Sequence, residues 1–286
     1  MSDDDTTSST TPTAGLPDYE PLLAAFHTAF GHELRLMIDQ LPLMAGAAVL
    51  DVACGDGAYV PWLAEKVGPT GRIVALDAEP KYLEHARRST PNGACAAPTE
   101  FVVGNLENMP MPLGMFDFVW CAQSLYSLPE PVSALRRMAR AAKPGGIVAV
   151  LEDDGLHRLI LPWPIEIELA VRAAELAALA DQSRHPRKYY IGRRLRAVFR
   201  EAGLREIRKS TWASDRSYPL AETERRFLIE YLRRLHERIA AYLETGICHD
   251  FERIIDERSP DFLLDQPDFD VTCIDHVVWG TVPAED

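Results

Sequence analysis

The chain has no excess of positive charge, no closely paired cysteines and no long apolar run, and each absence excludes something. Its 286 residues carry 30 Lys and Arg against 43 Asp and Glu, a net charge of −13 at pH 7. Phosphate backbones and anionic membrane surfaces attract the opposite balance, so neither nucleic acid nor a membrane is an expected partner. The five cysteines (54, 95, 121, 248 and 273) are an odd number and form no Cys-x-x-Cys pair. They read as free thiols in a reducing, cytoplasmic compartment. No apolar stretch approaches the length that spans a bilayer. The first residues are rich in Ser, Thr and Asp and lack a basic-plus-apolar leader pattern. Residues 1–15 are expected to be a disordered tail, because they cannot bury enough surface to offset chain entropy. No His, Cys or Asp spacing closes a metal site, so no metal is expected.

What the chain does contain is an apolar run that ends in an acid and a glycine loop: Val49-Leu50-Asp51-Val52-Ala53-Cys54-Gly55-Asp56-Gly57. A helical pattern follows. This is the sequence of a strand, a tight turn and a helix start, and the bare glycines let a ligand approach the backbone. Four further strand-like runs follow, Arg72–Asp77, Glu100–Val103, Phe116–Cys121 and Gly146–Glu152. Helical patterns at Ala58–Val67, Pro80–Arg88 and Val132–Ala142 separate most of them. Strands alternating with helices predict a parallel sheet covered on both faces. Lys143-Pro144-Gly145-Gly146 reads as the turn that leads into the fifth strand.

Beyond Glu152 the alternation stops. Helices are expected at 165–180, at Ile191–Ala202, along Leu228, Leu232, Leu235, Ile239 and Tyr242, and around Phe251–Arg258. Strands are expected at Leu204–Ser217 and Phe269–Val282. The expected organisation is an N-terminal cap helix within 16–44 and a core at 45–154. A helical insert at 155–188, a core helix and strand at 189–218, a second insert at 219–262 and a last strand within 263–286 follow. The leucine seam at 228–242 suits either the chain's own core or a homodimer.

Ligands in such sheets bind beyond the carboxyl ends of the strands. There the first strand offers Asp51 and the glycine loop. The second offers Asp77, followed by Ala78, and a carboxylate suits a ribose diol. The third offers Asn105 and Leu106, and the fourth Cys121-Ala122-Gln123-Ser124.

With these residues in place, the chain resembles the class I S-adenosylmethionine-dependent methyltransferases, in their small-molecule, ubiquinone/menaquinone-type branch. The resemblance rests on residues 49–57, on Val-Ala-Leu-Asp at 74–77, on Gly-Asn-Leu-Glu-Asn-Met-Pro at 104–110, on Phe-Asp-Phe-Val at 116–119 and on Lys-Pro-Gly-Gly at 143–146. It implies a Rossmann-like, doubly wound α/β sheet of seven strands, mainly parallel with the last antiparallel, under a helical cap. It also implies S-adenosylmethionine as cofactor and S-adenosylhomocysteine as product. Asp51, Ala53, Gly55 and Gly57 would hold the methionine part, with Cys54 structural in the same loop. Asp77 would take the ribose, Asn105 and Leu106 the adenine, and Cys121 would lie beside the methionine end. The family often has Gly at the place of Ala53 and Asp at that of Asn105. No Asn/Asp-Pro-Pro-Tyr/Phe run follows strand four, which disfavours amide and nucleobase amines. A dinucleotide loop would need a third glycine where Val60 stands.

The expected reaction is methyl transfer to an O, N or C atom of a small molecule, such as a natural product. The alternative is a protein that binds S-adenosylmethionine in a regulatory, non-methylating role. His157, beside Glu152-Asp153-Asp154, and then His249 are candidate bases. Tyr126, Trp163, Tyr189 and Tyr190 are candidate pocket residues. Six of the thirteen residues from Arg184 to Arg196 are basic, which is either the exposed start of a helix or a dock for an anion.

Overall fold

The computed structural model describes residues 20–90, 96–107, 109, 113–128, 130–155, 158–183 and 186–284. The expected tail at 1–15, Cys95 and His157 lie outside them. Eight strands form one sheet in the order β3-β2-β1-β4-β5-β8-β6, with β7 on the other flank of β8. They are β1 (Ala48–Val52), β2 (Arg72–Asp77), β3 (Thr99–Val103), β4 (Phe116–Ala122), β5 (Ala142–Glu152), β6 (Leu159–Ile160), β7 (Arg205–Ser217) and β8 (Asp270–Thr281). β1 pairs in parallel with both β2 and β4, so the strand order reverses between β1 and β4. β8 runs antiparallel to β5 and β7. Seven strands carry the expected architecture, and the eighth, β6, is an addition. Its two residues pair with Thr272 and Cys273 where β5 no longer reaches.

Strand alternation divides the sheet into two apolar faces. Val49, Phe118, Trp120 and Ala149 point to one, and Leu50, Val119, Cys121 and Val150 to the other. The second face is covered by α4 (Pro131–Ala141) and α6 (Leu195–Glu201), through Leu135, Met138, Val198 and Phe199. The first face carries α2 (Val60–Val67), α3 (Pro80–Ser89) and the cap. The cap comprises α1 (Glu20–Asp39), α5 (Ile165–Gln182), α7 (Glu222–Ile239) and α8 (Thr245–Ile255). α1 and α7 meet through aromatic rings, with Phe227 centred 5.6 Å from both Phe26 and Phe30. Arg216 at the end of β7 ties the pair together, reaching Glu33 at 2.8 Å and Glu224 at 2.6 Å. With aromatic burial on one side and a largely enclosed ion pair on the other, α1 becomes part of the core.

Local signals place most helix starts. α3 begins at Pro80 with Glu79 as its cap, whose Oε1 accepts from the Lys81 N–H at 3.2 Å. Pro131 opens α4 in the same way, because proline's missing N–H costs nothing in a first turn. Other boundaries differ from expectation. The helix expected at Ile191–Ala202 is a 3-10 segment, Pro186–Arg193, followed by the short α6. The helix expected at Phe251–Arg258 starts earlier, at Thr245. Lys143-Pro144-Gly145-Gly146 lies inside β5 as a bulge: Ala142 faces Phe116, and Ile147 already faces Phe118. Gly145 takes a positive φ of 77° to make it.

The leucine seam is consumed within the chain. Leu228, Leu232, Leu235 and Ile239 are buried against the first face, while Tyr242 at the end of the seam is exposed and donates to Asp181 at 2.8 Å. No helix among the described residues is long and apolar enough to cross a membrane.

Candidate functional site

The carboxyl ends of β1 to β4 converge on a cavity of about 250 Å³. Asp51, Ala53, Cys54, Gly55, Asp77, Ala78, Asn105 and Leu106 all border it. The loop after β1 earns its shape from left-handed backbone at three places, with φ of 54° at Ala53, 54° at Gly55 and 79° at Gly57. The two glycines do different work. A Cβ on Gly55, which borders the cavity, would meet nothing within 4 Å. A Cβ on Gly57 would lie 2.9 Å from Cβ of Ala86, so this glycine lets the loop close on α3 and is not a lining residue.

Asp77 fastens the loop to β2. Its Oδ2 accepts from the Gly55 N–H at 2.9 Å, and its Oδ1 from the Glu79 N–H at 2.9 Å. Burial raises its pKa, and the two N–H bonds pull against that. Asp51 is nearly inaccessible, its Oδ2 has no hydrogen-bond partner, and burial holds its pKa well above the usual carboxylate range. An orphaned carboxylate oxygen on a cavity wall is the complement of a positively charged ligand group. Asn105 turns its Oδ1 back onto the Glu107 N–H at 3.0 Å, stabilising its own loop. Burial pushes the Cys54 thiol up, so it stays protonated and is no nucleophile.

Cys121 does not border the cavity. Alternation along β4 turns it into the second face among Leu50, Val119 and Leu135, and Ala122 and Gln123 face the cavity instead. Gln123 takes a left-handed φ of 50°, rare for a residue with a Cβ and typical of functional turns. Its Oε1 accepts from the Tyr59 hydroxyl at 3.3 Å and sits 3.1 Å from Nε2 of His27 on α1. Nδ1 of His27 has no partner, and burial lowers its pKa. The sequence offers Gln123 only within the run that ends the fourth strand, and gives His27 and Tyr59 no role. Only position after β4 could have pointed to Gln123, and nothing local marks His27 on an amphipathic helix.

A second cavity of about 690 Å³ opens between the sheet and the cap. Leu23, Gln123 and Ser127 line both cavities. Tyr126 and Tyr189 line the second, their rings 5.9 Å apart. Trp163 and Tyr190 do not. Trp163 is core, hydrogen-bonded to Glu168 and packed edge-on to Phe251, and Tyr190 is buried beneath the Arg193 guanidinium. His249 is exposed on α8 and borders neither cavity. Glu152, at the end of β5, faces the second cavity. Its Oε1 accepts from the N–H groups of Leu125 at 2.6 Å and Tyr126 at 3.3 Å. Burial, and then the charge of Asp153, push its pKa up to about 8.

Residues 50–150 match the family model described as a methyltransferase domain. The demethylmenaquinone methyltransferase of Bacillus licheniformis is 31% identical over 172 residues, covering 57% of this chain and 72% of that protein. The chain belongs to the class I S-adenosylmethionine-dependent methyltransferases of the ubiquinone/menaquinone type. A ubiquinone/menaquinone biosynthesis C-methyltransferase of Hahella chejuensis is 36% identical over 118 residues, 41% of this chain and 47% of that protein. The chain spans about half the length of most of these curated relatives. In fold it is similar to the YcgJ protein of Bacillus subtilis, with a TM-score of 0.53 at 17% identity, over 90% of this chain and 100% of that one.

The family's cofactor is S-adenosylmethionine, and the first cavity fits it. With S-adenosylmethionine bound, Asp51 would hold the cationic methionine end, Asp77 would accept from the ribose hydroxyls and Leu106 would face the adenine.

Proposed function

We propose that this protein moves the methyl group of S-adenosylmethionine to an O, N or C atom of a small molecule in the cytoplasm. The observation that carries this reading is the shared wall of the two cavities at Leu23, Gln123 and Ser127. One cavity has the donor set for the cofactor, and its neighbour has the volume of a site for a natural product of modest size. When bound, the cofactor supplies a sulfonium whose methyl carbon is open to in-line attack. The chain's share is to orient the acceptor and exclude water, which the aromatic seam between α1 and α7 favours. The four cysteines among the described residues are free thiols, which supports a reducing compartment.

An O- or C-nucleophile must also lose a proton. His27 is the base we assign to that step. It borders the cofactor cavity, Gln123 fixes its Nε2, and its lowered pKa keeps the ring neutral and able to accept. The test is mass-spectrometric detection of S-adenosylhomocysteine and a methylated product across a small-molecule panel. Release of both with at least one acceptor supports the reading. Tight cofactor binding without release from any acceptor would support the regulatory role instead.

A further inference from the structure

The cations that line the second cavity, Arg158, Lys188, Arg234 and Arg238, match its carboxylates, Glu152, Asp153, Glu175 and Glu237, in number but not in how fully they are engaged. Its carboxylates are already engaged: Asp153 with Arg158 at 3.1 Å, Glu175 with Arg238 at 3.3 Å and with Arg172 at 3.5 Å, and Glu237 with Arg233. Glu152 is bound by backbone N–H groups and carries a proton over most of its time at neutral pH, so it adds little negative charge. Arg234 is paired with Glu230 and Arg238 with Glu175, while Arg158 and Lys188 keep nitrogens that no carboxylate engages. Arg158 spends one nitrogen on Asp153, and its Nε and Nη2 have no hydrogen-bond partner, although the side chain is only 17% exposed. Lys188 lies 5.0 Å over the Tyr189 ring and has no carboxylate partner among the described residues. The Arg158 guanidinium also lies 4.2 Å over the Phe26 ring and near the charge of Asp275, so what it lacks is hydrogen bonds at two nitrogens and not a counter-charge.

The sequence offered six basic residues between 184 and 196 as a dock for an anion. Of those described, the fold sends only Lys188 to the cavity. Arg193 is spent on Asp154, and Arg187, Arg194 and Arg196 are exposed elsewhere.

We propose that the methyl acceptor carries an oxyanion, a carboxylate or a phosphate, held in the second cavity by Arg158 and Lys188, with its ring or chain against Tyr126 and Tyr189. This rests on the methyltransferase reading above and narrows its substrate class. A planar guanidinium presents parallel N–H donors that match either oxyanion, and the ammonium adds a point charge. An uncharged acceptor would leave both cations as they stand.

The test is calorimetric titration of benzoate, phenyl phosphate and the uncharged benzamide into the protein saturated with S-adenosylhomocysteine. At least one of the two anions should bind tenfold or more tightly than benzamide. Lys188→Gln, at a partly exposed position where folding is not at stake, should weaken that anion about tenfold while S-adenosylhomocysteine binds as before. Arg158→Gln should weaken it further if it folds. Equal binding of benzoate, phenyl phosphate and benzamide, no anion binding to the loaded protein, or an unchanged anion affinity in Lys188→Gln each overturns the proposal. Failure to bind S-adenosylhomocysteine at all would instead overturn the cofactor reading.

Discussion

The Gly55 backbone N–H donates to Oδ2 of Asp77 at 2.9 Å, joining the loop after β1 to the end of β2. One carboxylate therefore shapes the glycine loop and faces the cavity that the loop encloses. Removing it loosens both. Asp77→Ala should weaken S-adenosylhomocysteine about 10- to 100-fold, the worth of one or two hydrogen bonds to a charged group. Asp77→Asn should do nearly as badly, because its amide nitrogen would face a backbone donor. Calorimetry on the two variants decides, and an affinity equal to wild type refutes the ribose assignment.

Gly55 and Gly57 both need positive φ but should fail differently when replaced by alanine. At Gly57 the new Cβ meets Ala86 at 2.9 Å, so strain and overlap should cost about 2–4 kcal/mol and lower the melting temperature. At Gly55 there is open space, so the cost should stay near 1–2 kcal/mol of backbone strain. Gly55 borders the first cavity, however, so cofactor affinity should fall more than stability. Thermal melts beside calorimetry on both variants separate the two signatures.

Glu152 makes stability depend on pH. Its pKa is about 8 in the fold against 4.5 when free, so the folded state holds its proton more tightly. That advantage is full below about 4.5 and is lost as pH rises through about 8. Glu152→Gln keeps an oxygen for the Leu125 N–H and cannot ionise. It should therefore melt above wild type at pH 8 to 9, and the gap should close by pH 5. A gap that does not change with pH would show that Glu152 does not titrate in this range.

His27→Phe keeps the ring packing beside Tyr59, whose centroid lies 5.1 Å away, but removes the nitrogen that meets Gln123. If His27 is the base, turnover of an O- or C-acceptor should fall by about 100-fold or more, with S-adenosylhomocysteine affinity within a few-fold of wild type. Stopped assays with saturating cofactor read this directly. Unchanged turnover would place the proton elsewhere.

The half of the chain that alternates strand with helix was legible because each signal there is local. An apolar run ending at Asp51, a pair of glycines, a proline opening α3 and an acid ending β2 carry their meaning within a few residues. The bulge in β5 was less so: Lys143-Pro144-Gly145-Gly146 signals a break, but only pairing with β4 makes it part of a strand. The cap was blurred for a similar reason. Whether the residues before α6 form a 3-10 segment or an α-helix depends on what they pack against.

By itself the sequence determined the α/β alternation, the cofactor loop and the carboxylates at the ends of β1 and β2, since chain neighbours build all three. The tertiary structure alone decided which face each strand residue takes, and so exchanged Cys121 for Ala122 and Gln123 at the cavity. It alone brought His27 of α1 to Gln123, 96 positions along the chain. It also brought Arg158 and Lys188 to the wall of one cavity. Burial and charge balance are sums over residues far apart in sequence, and they acquire values only when the chain is closed.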